Sequence, residues 1–219
     1  MKTSKLILIT FFSIIGLFLL SLMIQKKPSN WQEMRNEERI QLPAINHLKL
    51  HNIHSVKLCM GDSSRMNYWH LKTLQTNNSF FSVNSDTLVI NRSPENIDEN
   101  GLFVYLKNIK SVSVFNSDLS IGKFKISDLK TDLVHGNIYL QNIDSIQNLI
   151  IQLKEKSLFW CNPKIVNSIV MNLENSSANF NDAIIIDLNA ELTDSSDFKV
   201  EKVLQSNVKT DETSNFHSR

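Results

Sequence analysis

Residues 145–200 read SIQNLIIQLKEKSLFWCNPKIVNSIVMNLENSSANFNDAIIIDLNAELTDSSDFKV, and the spacing within this stretch decides the fold. Apolar residues alternate with polar ones in short triplets: Leu149-x-Ile151-x-Leu153, Ile169-x-Met171-x-Leu173 and Ile184-x-Ile186-x-Leu188. Period two is the mark of a half-buried strand, and no helical period runs through this stretch. A polar pair recurs at intervals of about 20 residues: Ser117-Asp118, Gly136-Asn137, Lys156-Ser157, Ser176-Ser177, Ser196-Asp197 and Ser214-Asn215. The residues that follow the pairs are Leu119, Ile138, Leu158, Ala178, Phe198 and Phe216, and two places further stand Ile121, Leu140, Trp160, Phe180 and Val200. A unit this short cannot bury its apolar side alone, so the sequence predicts an all-β solenoid in which each coil covers the next. Coils rising about 4.8 Å each give six of them a stack of roughly 30 Å. Serine and asparagine at equivalent corners are placed to form polar ladders between coils. A β-sandwich with evenly spaced strands is the competing architecture.

Upstream, Leu48-Lys49-Leu50, Val56-Lys57-Leu58, Leu88-Val89-Ile90, Phe103 to Leu106 and Val112-Ser113-Val114 each fit a short strand. Turns fall at Gly61-Asp62-Ser63-Ser64, Asn77-Asn78-Ser79 and Asn84-Ser85-Asp86, where Asn, Asp and Ser tolerate left-handed backbone. Only 5 Gly and 4 Pro occur in 219 residues, which argues against collagen-like, low-complexity and glycine-loop nucleotide-binding chains. With 23 basic against 22 acidic residues the net charge is +1, so no global field draws the chain to nucleic acid. Two cysteines do not make a disulfide scaffold.

Leu6 to Ile24 carries no charge, and as a helix it measures about 28 Å, close to the hydrocarbon thickness of a bilayer. No small-x-small cleavage motif follows it, so the expectation is a retained transmembrane anchor; a cleaved, secreted chain is the alternative. Lys2 and Lys5 precede the span, and Lys26, Lys27, Arg35 and Arg39 follow it, so charge does not settle the orientation. A five-residue tail (1–5) before one long span fits an inside-to-outside anchor, which puts the body outside the cytoplasmic membrane. Residues 25–41 read as a juxtamembrane linker, with Pro28 ending the helix and Trp31 suited to the interfacial belt. The solenoid is expected over 42–216, with opening strands at 42–106 that cap one end and repeating coils at 107–216.

The run Leu42-Pro43-Ala44-Ile45-Asn46-His47-Leu48-Lys49-Leu50, then Ser55 to Asp62, Asp86-Thr87-Leu88-Val89-Ile90 and Leu102 to Leu106 with Ile109 to Val112, resembles the opening of the family called "putative auto-transporter adhesin head GIN domain". The resemblance extends over about 42–216 and rests on strand patterns. It implies a right-handed β-helix-like domain carried outside the cytoplasm, with adhesion as its role and no reaction attached. Corners here use Asn, Ser and Asp where typical members use more Gly.

Several residues invite a chemical reading. His47, His51, His54 and His70 are the only histidine concentration, but Lys49 shares the outward face of a strand with His47 and His51, and its charge opposes a cation. Cys59 and Cys161 lie in strand-like contexts and read as packed thiols, and a disulfide would require the opening strands to touch the third coil. Lys154, Glu174, Asp194 and Glu212 recur at one corner, where a solvated charged edge is favoured over a calcium site. Asp118, Asp132, Asp197 and Lys199 are the groups that a glycan-active enzyme would have to recruit. Trp69, Phe159 and Trp160 suit stacking on sugars if exposed, but the repeat places Trp160 inward.

The sequence therefore assigns no catalytic, cofactor-binding or metal residue and no cofactor. It predicts a membrane-anchored, non-enzymatic extracytoplasmic solenoid that binds a protein or glycan partner, or has a structural role in the envelope. A glycan-active enzyme on the same scaffold, or a signalling partner acting through Leu6 to Ile24, are the alternatives.

Overall fold

The computed structural model describes residues 35–71, 80–92 and 97–218. The tail, Leu6 to Ile24 and most of the linker, including Trp31, lie outside them, and among the described residues no helix is long and apolar enough to cross a membrane. In chain order the strands are β1 (Arg35–Gln41), β2 (His47–His51), β3 (Val56–Met60), β4 (Arg65–Leu71), β5 (Phe81–Asn84), β6 (Thr87–Ile90), β7 (Ile97–Leu106), β8 (Ser111–Phe115), β9 (Asp118–Gly122), β10 (Asp128–Val134), β11 (Asn137–Gln141), β12 (Ser145–Lys154), β13 (Leu158–Cys161), β14 (Ile165–Glu174), β15 (Ser177–Thr193), β16 (Asp197–Thr210) and β17 (Asn215–Ser218).

The strands stack in parallel along two faces, which is the solenoid that the repeat predicts. The first face runs β6, β2, β8, β10, β12, β14 and then the second halves of β15 and β16. The second face runs β7, β3, β9, β11, β13, the first halves of β15 and β16, and β17. Stacking order departs from chain order at one place. The β2–β3 coil lies between the β6–β7 coil and the β8–β9 coil, so it is inside the stack and does not cap it. Capping falls instead to the excursion after β3: β4 pairs antiparallel with β7, and β5 antiparallel with β6. These two strands cover the outer edges of β7 and β6, which would otherwise offer free pairing groups at this end of the stack. The range read as linker ends in strand β1, which pairs with β4; there the Asn67 amide donates to Glu37 (2.8 Å) and the Tyr68 hydroxyl to Glu38 (2.5 Å).

The core lies between the faces and follows strand alternation. Leu149, Ile151 and Leu153 on β12 are buried, as are their register partners Ile169, Met171 and Leu173 on β14. On β15 the expected phase is wrong: Ile185 and Leu188 are buried, whereas Ile184 and Ile186 stand about 40% exposed (39% and 40%). In β12, β14 and β15 the alternation breaks where two successive residues face outward, 147–148, 167–168 and 186–187, and the four-residue apolar run 183–186 hides that break. Inside the second face Phe159, Phe180, Phe198 and Phe216 contact one another in turn, with ring centroids 5.6, 5.8 and 5.4 Å apart. Ala178 occupies the position between Phe159 and Phe198 in register, and its small volume leaves the space that Phe180 fills.

A buried serine ladder holds the corner that precedes the second face. The N–H groups of Ile53, Gly136, Ser157, Ser176 and Ser196 donate to the hydroxyls of Ser117, Ser157, Ser176, Ser196 and Ser214, at 2.9, 3.2, 3.3, 3.3 and 3.1 Å. The hydroxyls of Ser117, Ser157, Ser176 and Ser196 donate in turn to carbonyls of their own corner, those of Phe115, Lys154, Glu174 and Thr193. Backbone groups that the corner would otherwise bury unpaired are satisfied by this ladder. Left-handed residues supply the bends: Asn116, His135 and Asn175 singly, and Glu155-Lys156 and Asp194-Ser195 as pairs. Gly136 takes the ladder position where a Cβ would lie 2.7 Å from Val114 Cγ1, so no side chain fits there.

Candidate functional site

The paired left-handed residues at Glu155-Lys156 lengthen that corner by one residue and change the phase of β13. Ser157 therefore aligns with Gly136, Phe159 with Ile138 and Cys161 with Leu140. Phe159 and Cys161 are fully buried, and Trp160 faces outward, half-buried, against the expectation that it points into the core. It stands in an outward row of the second face formed by Lys57, Ser120, Tyr139, Trp160, Asn179, Lys199 and His217, one residue per strand. Beside it runs a second row: Asp118, Asn137, Leu158, Ser177, Asp197 and Asn215.

Contacts within the rows pin the charges and leave the middle neutral. The Asn137 amide donates to Asp118 at 2.6 Å. Lys199 pairs with Asp197 at 2.8 Å, and His217 lies 3.4 Å from the same carboxylate. At the capped end a separate aromatic group faces outward: Trp69 meets Phe103 edge-on at 5.3 Å, and Phe103 lies near-parallel to Tyr105 at 6.5 Å. Lys57 stands 5.2 Å over Phe103 and Arg65 4.3 Å over Tyr105, so these ring faces already carry cations of the chain itself.

The other sequence candidates are dispersed. His47, Lys49 and His51 alternate outward on β2 as read; His47 sits 2.6 Å from Ser111 Oγ and 3.5 Å from Asp86, and His51 contacts the Phe115 ring. The backbone of β4 carries His70, and His54 is exposed in the turn after β2. No group of three metal-ligating side chains converges among the described residues. At the charged corner Lys154 pairs with Glu174 at 3.0 Å, but the next register partner is Thr193, and Asp194 lies one position on in the left-handed bend. Its N–H binds Asp211, while Glu212 is exposed, so Glu174, Asp194 and Glu212 do not stack in one register row.

Cys59 faces outward on β3 and Cys161 inward on β13, and both thiols are free. The Cys161 column passes through Leu140 and Ile121 to Leu58, three strand spacings or about 14 Å away. A disulfide spans no more than about 7 Å between Cα atoms, which excludes the pair. Burial raises the Cys161 thiol well above its ordinary range. Desolvation also raises Cys59, with the Lys57 charge opposing it.

Asp118 and Asp197 occupy one row but stand four strand spacings apart, about 19 Å. Asp132 lies on the other face, between Ser113 and Gln152. Paired glycosidase carboxylates work at about 5–9.5 Å, so these acids are not arranged as such a pair.

No protein-family model matches the sequence, and no curated protein matches it either. Solved structures do share its fold. A protein from Bacteroides fragilis described as a "putative adhesin" superposes with a TM-score of 0.51 at 12% identity, covering 80% of this chain and 94% of its own. A "putative lipid binding protein" from Parabacteroides distasonis gives 0.53 at 10% identity, covering 83% and 96%. At these identities the likeness establishes the architecture alone.

Proposed function

We propose that this chain is a membrane-tethered, extracytoplasmic solenoid of the GIN type that binds a protein or glycan partner and catalyses no reaction. The observation that carries this reading is the outward side of the second face: in-register rows of polar and aromatic side chains on a stack fixed by its serine ladder and parallel pairing. Such a scaffold spreads affinity over successive coils and undergoes no closure on binding. The description of one fold neighbour as an adhesin and of another as a lipid-binding protein supports a binding role. The apolar span Leu6 to Ile24 supports tethering. The test is retention of isolated cell envelopes by proteoliposomes carrying the full chain. The expected result is retention above that of protein-free liposomes, and equal retention would remove the proposal.

A further inference from the structure

We propose that the strip centred on Tyr139 and Trp160 binds a neutral polysaccharide chain; this rests on the binding role above and names its ligand class. The two residues are register partners on neighbouring strands, β11 and β13, both half-buried with a side facing solvent. Their phase is fixed from within. Ile138 and Leu140 turn inward on either side of Tyr139, and Phe159 and Cys161 do so around Trp160. Among the described residues neither ring stacks on another ring or on a cation, in contrast to Phe103 and Tyr105, which carry Lys57 and Arg65.

The surroundings of the two rings choose the ligand. Ser120 and Asn179 continue the row on either side, and Asn137 and Ser177 belong to the row alongside. These are hydroxyls and carboxamides without charge; the Asn137 amide donates to Asp118 and the Asn179 oxygen accepts from the Asn181 N–H, which leaves the Asn137 oxygen and the Asn179 amide for a ligand. The nearest carboxylates are committed, Asp118 to Asn137 and Asp197 to Lys199. Among the described residues an anionic polymer finds no free cation at the strip, since Asp197 holds Lys199, and the Asp118 carboxylate beside it repels a polyanion. A peptide strand cannot add to this face either, because the backbone groups here are spent in the parallel ladder on both sides. A pyranose presents an apolar C–H face to an aromatic ring and a rim of hydroxyls to side-chain amides, and this is the pairing that the strip offers. Rows repeating at about 4.8 Å suit a polymer better than a single sugar.

The experiment uses the full chain in detergent, run in native gels containing dextran, xyloglucan, galactomannan or xylan, with alginate as the polyanionic control. Slowed migration in at least one neutral polysaccharide, and none in alginate, is expected. The Tyr139→Ala/Trp160→Ala double variant should weaken binding about tenfold or more. Trp160→Phe keeps a ring and should retain most of it, and Lys130→Ala on the opposite face should change nothing. Retardation by none of the neutral polymers, equal retardation by alginate, or a double variant that migrates like the parent would each overturn the assignment. Envelope retention by the parent that is lost in the double variant, without retardation in any gel, would make the partner a protein and overturn the glycan class alone. Absence of envelope retention would instead defeat the binding role itself.

Discussion

Ser157→Ala removes one hydroxyl from the buried corner, and the structure gives the size of the effect. The Ser157 side chain is 1% exposed, accepts from the Gly136 N–H at 3.2 Å and donates to the Lys154 carbonyl at 2.6 Å. That carbonyl also receives the His135 N–H, so it keeps a partner, whereas the Gly136 N–H loses the one described here. Burying an unsatisfied donor costs about 1–3 kcal/mol, and the lost bond to Lys154 about 0.5–1.5 kcal/mol. The sum is about 1.5–4.5 kcal/mol, which lowers Tm by about 3–18 °C for a domain of this size. Thermal melts followed by circular dichroism measure it, with Ser177→Ala, whose side chain faces outward on β15, as the control. A loss below about 0.5 kcal/mol would refute the claim that the hydroxyl is what satisfies the corner.

Gly136→Ala should destabilise by about 1–3 kcal/mol, because the new Cβ meets the buried Val114 side chain at 2.7 Å and Ser117 O at 3.0 Å; a melt unchanged from the parent would show that the corner relaxes freely. In the native state a maleimide should modify Cys59, and Cys161 only after urea is added, since Cys161 is fully buried with a raised thiol pKa; equal rates would contradict the phase of β13. Asp211 falls from 3.8 to about 2, held down by the Ser214 hydroxyl, then by the Asp194 N–H at 2.7 Å and by Thr213. Its folded value is depressed, so its contribution is complete above about pH 4 and is lost as pH falls toward 2. The melting temperature of Asp211→Asn should therefore converge on that of the parent across this window, and parallel curves would deny Asp211 the role.

The solenoid was legible because one polar pair recurs, and its serines do stack: Ser117, Ser157, Ser176 and Ser196 occupy the ladder. What the repeat did not show was its own irregularity. One additional left-handed residue at Glu155-Lys156 moves β13 by one place and exchanges Trp160 for Phe159, so the ring read as core became part of the candidate site. A one-residue shift reverses every side chain of a strand, and local spacing carries no warning of it. The run Ala183 to Ile186 misled for a related reason, since four successive apolar residues fit either phase. Stacking order was beyond reach as well: nothing in Leu48-Lys49-Leu50 says that β2 pairs with both β6 and β8. Cys59 and Cys161 separate for a cause that only register reveals, an outward and an inward column.

The proposed role requires the folded body to face away from the cytoplasm. Lys130→Cys, made in a Cys59→Ser background, places one accessible thiol on the exposed side of β10 while Cys161 stays buried. Labelling by a membrane-impermeant maleimide in intact spheroplasts, at the extent reached after lysis, is the predicted result. Labelling that appears only after lysis would put the solenoid inside the cell and contradict its presentation to an external partner.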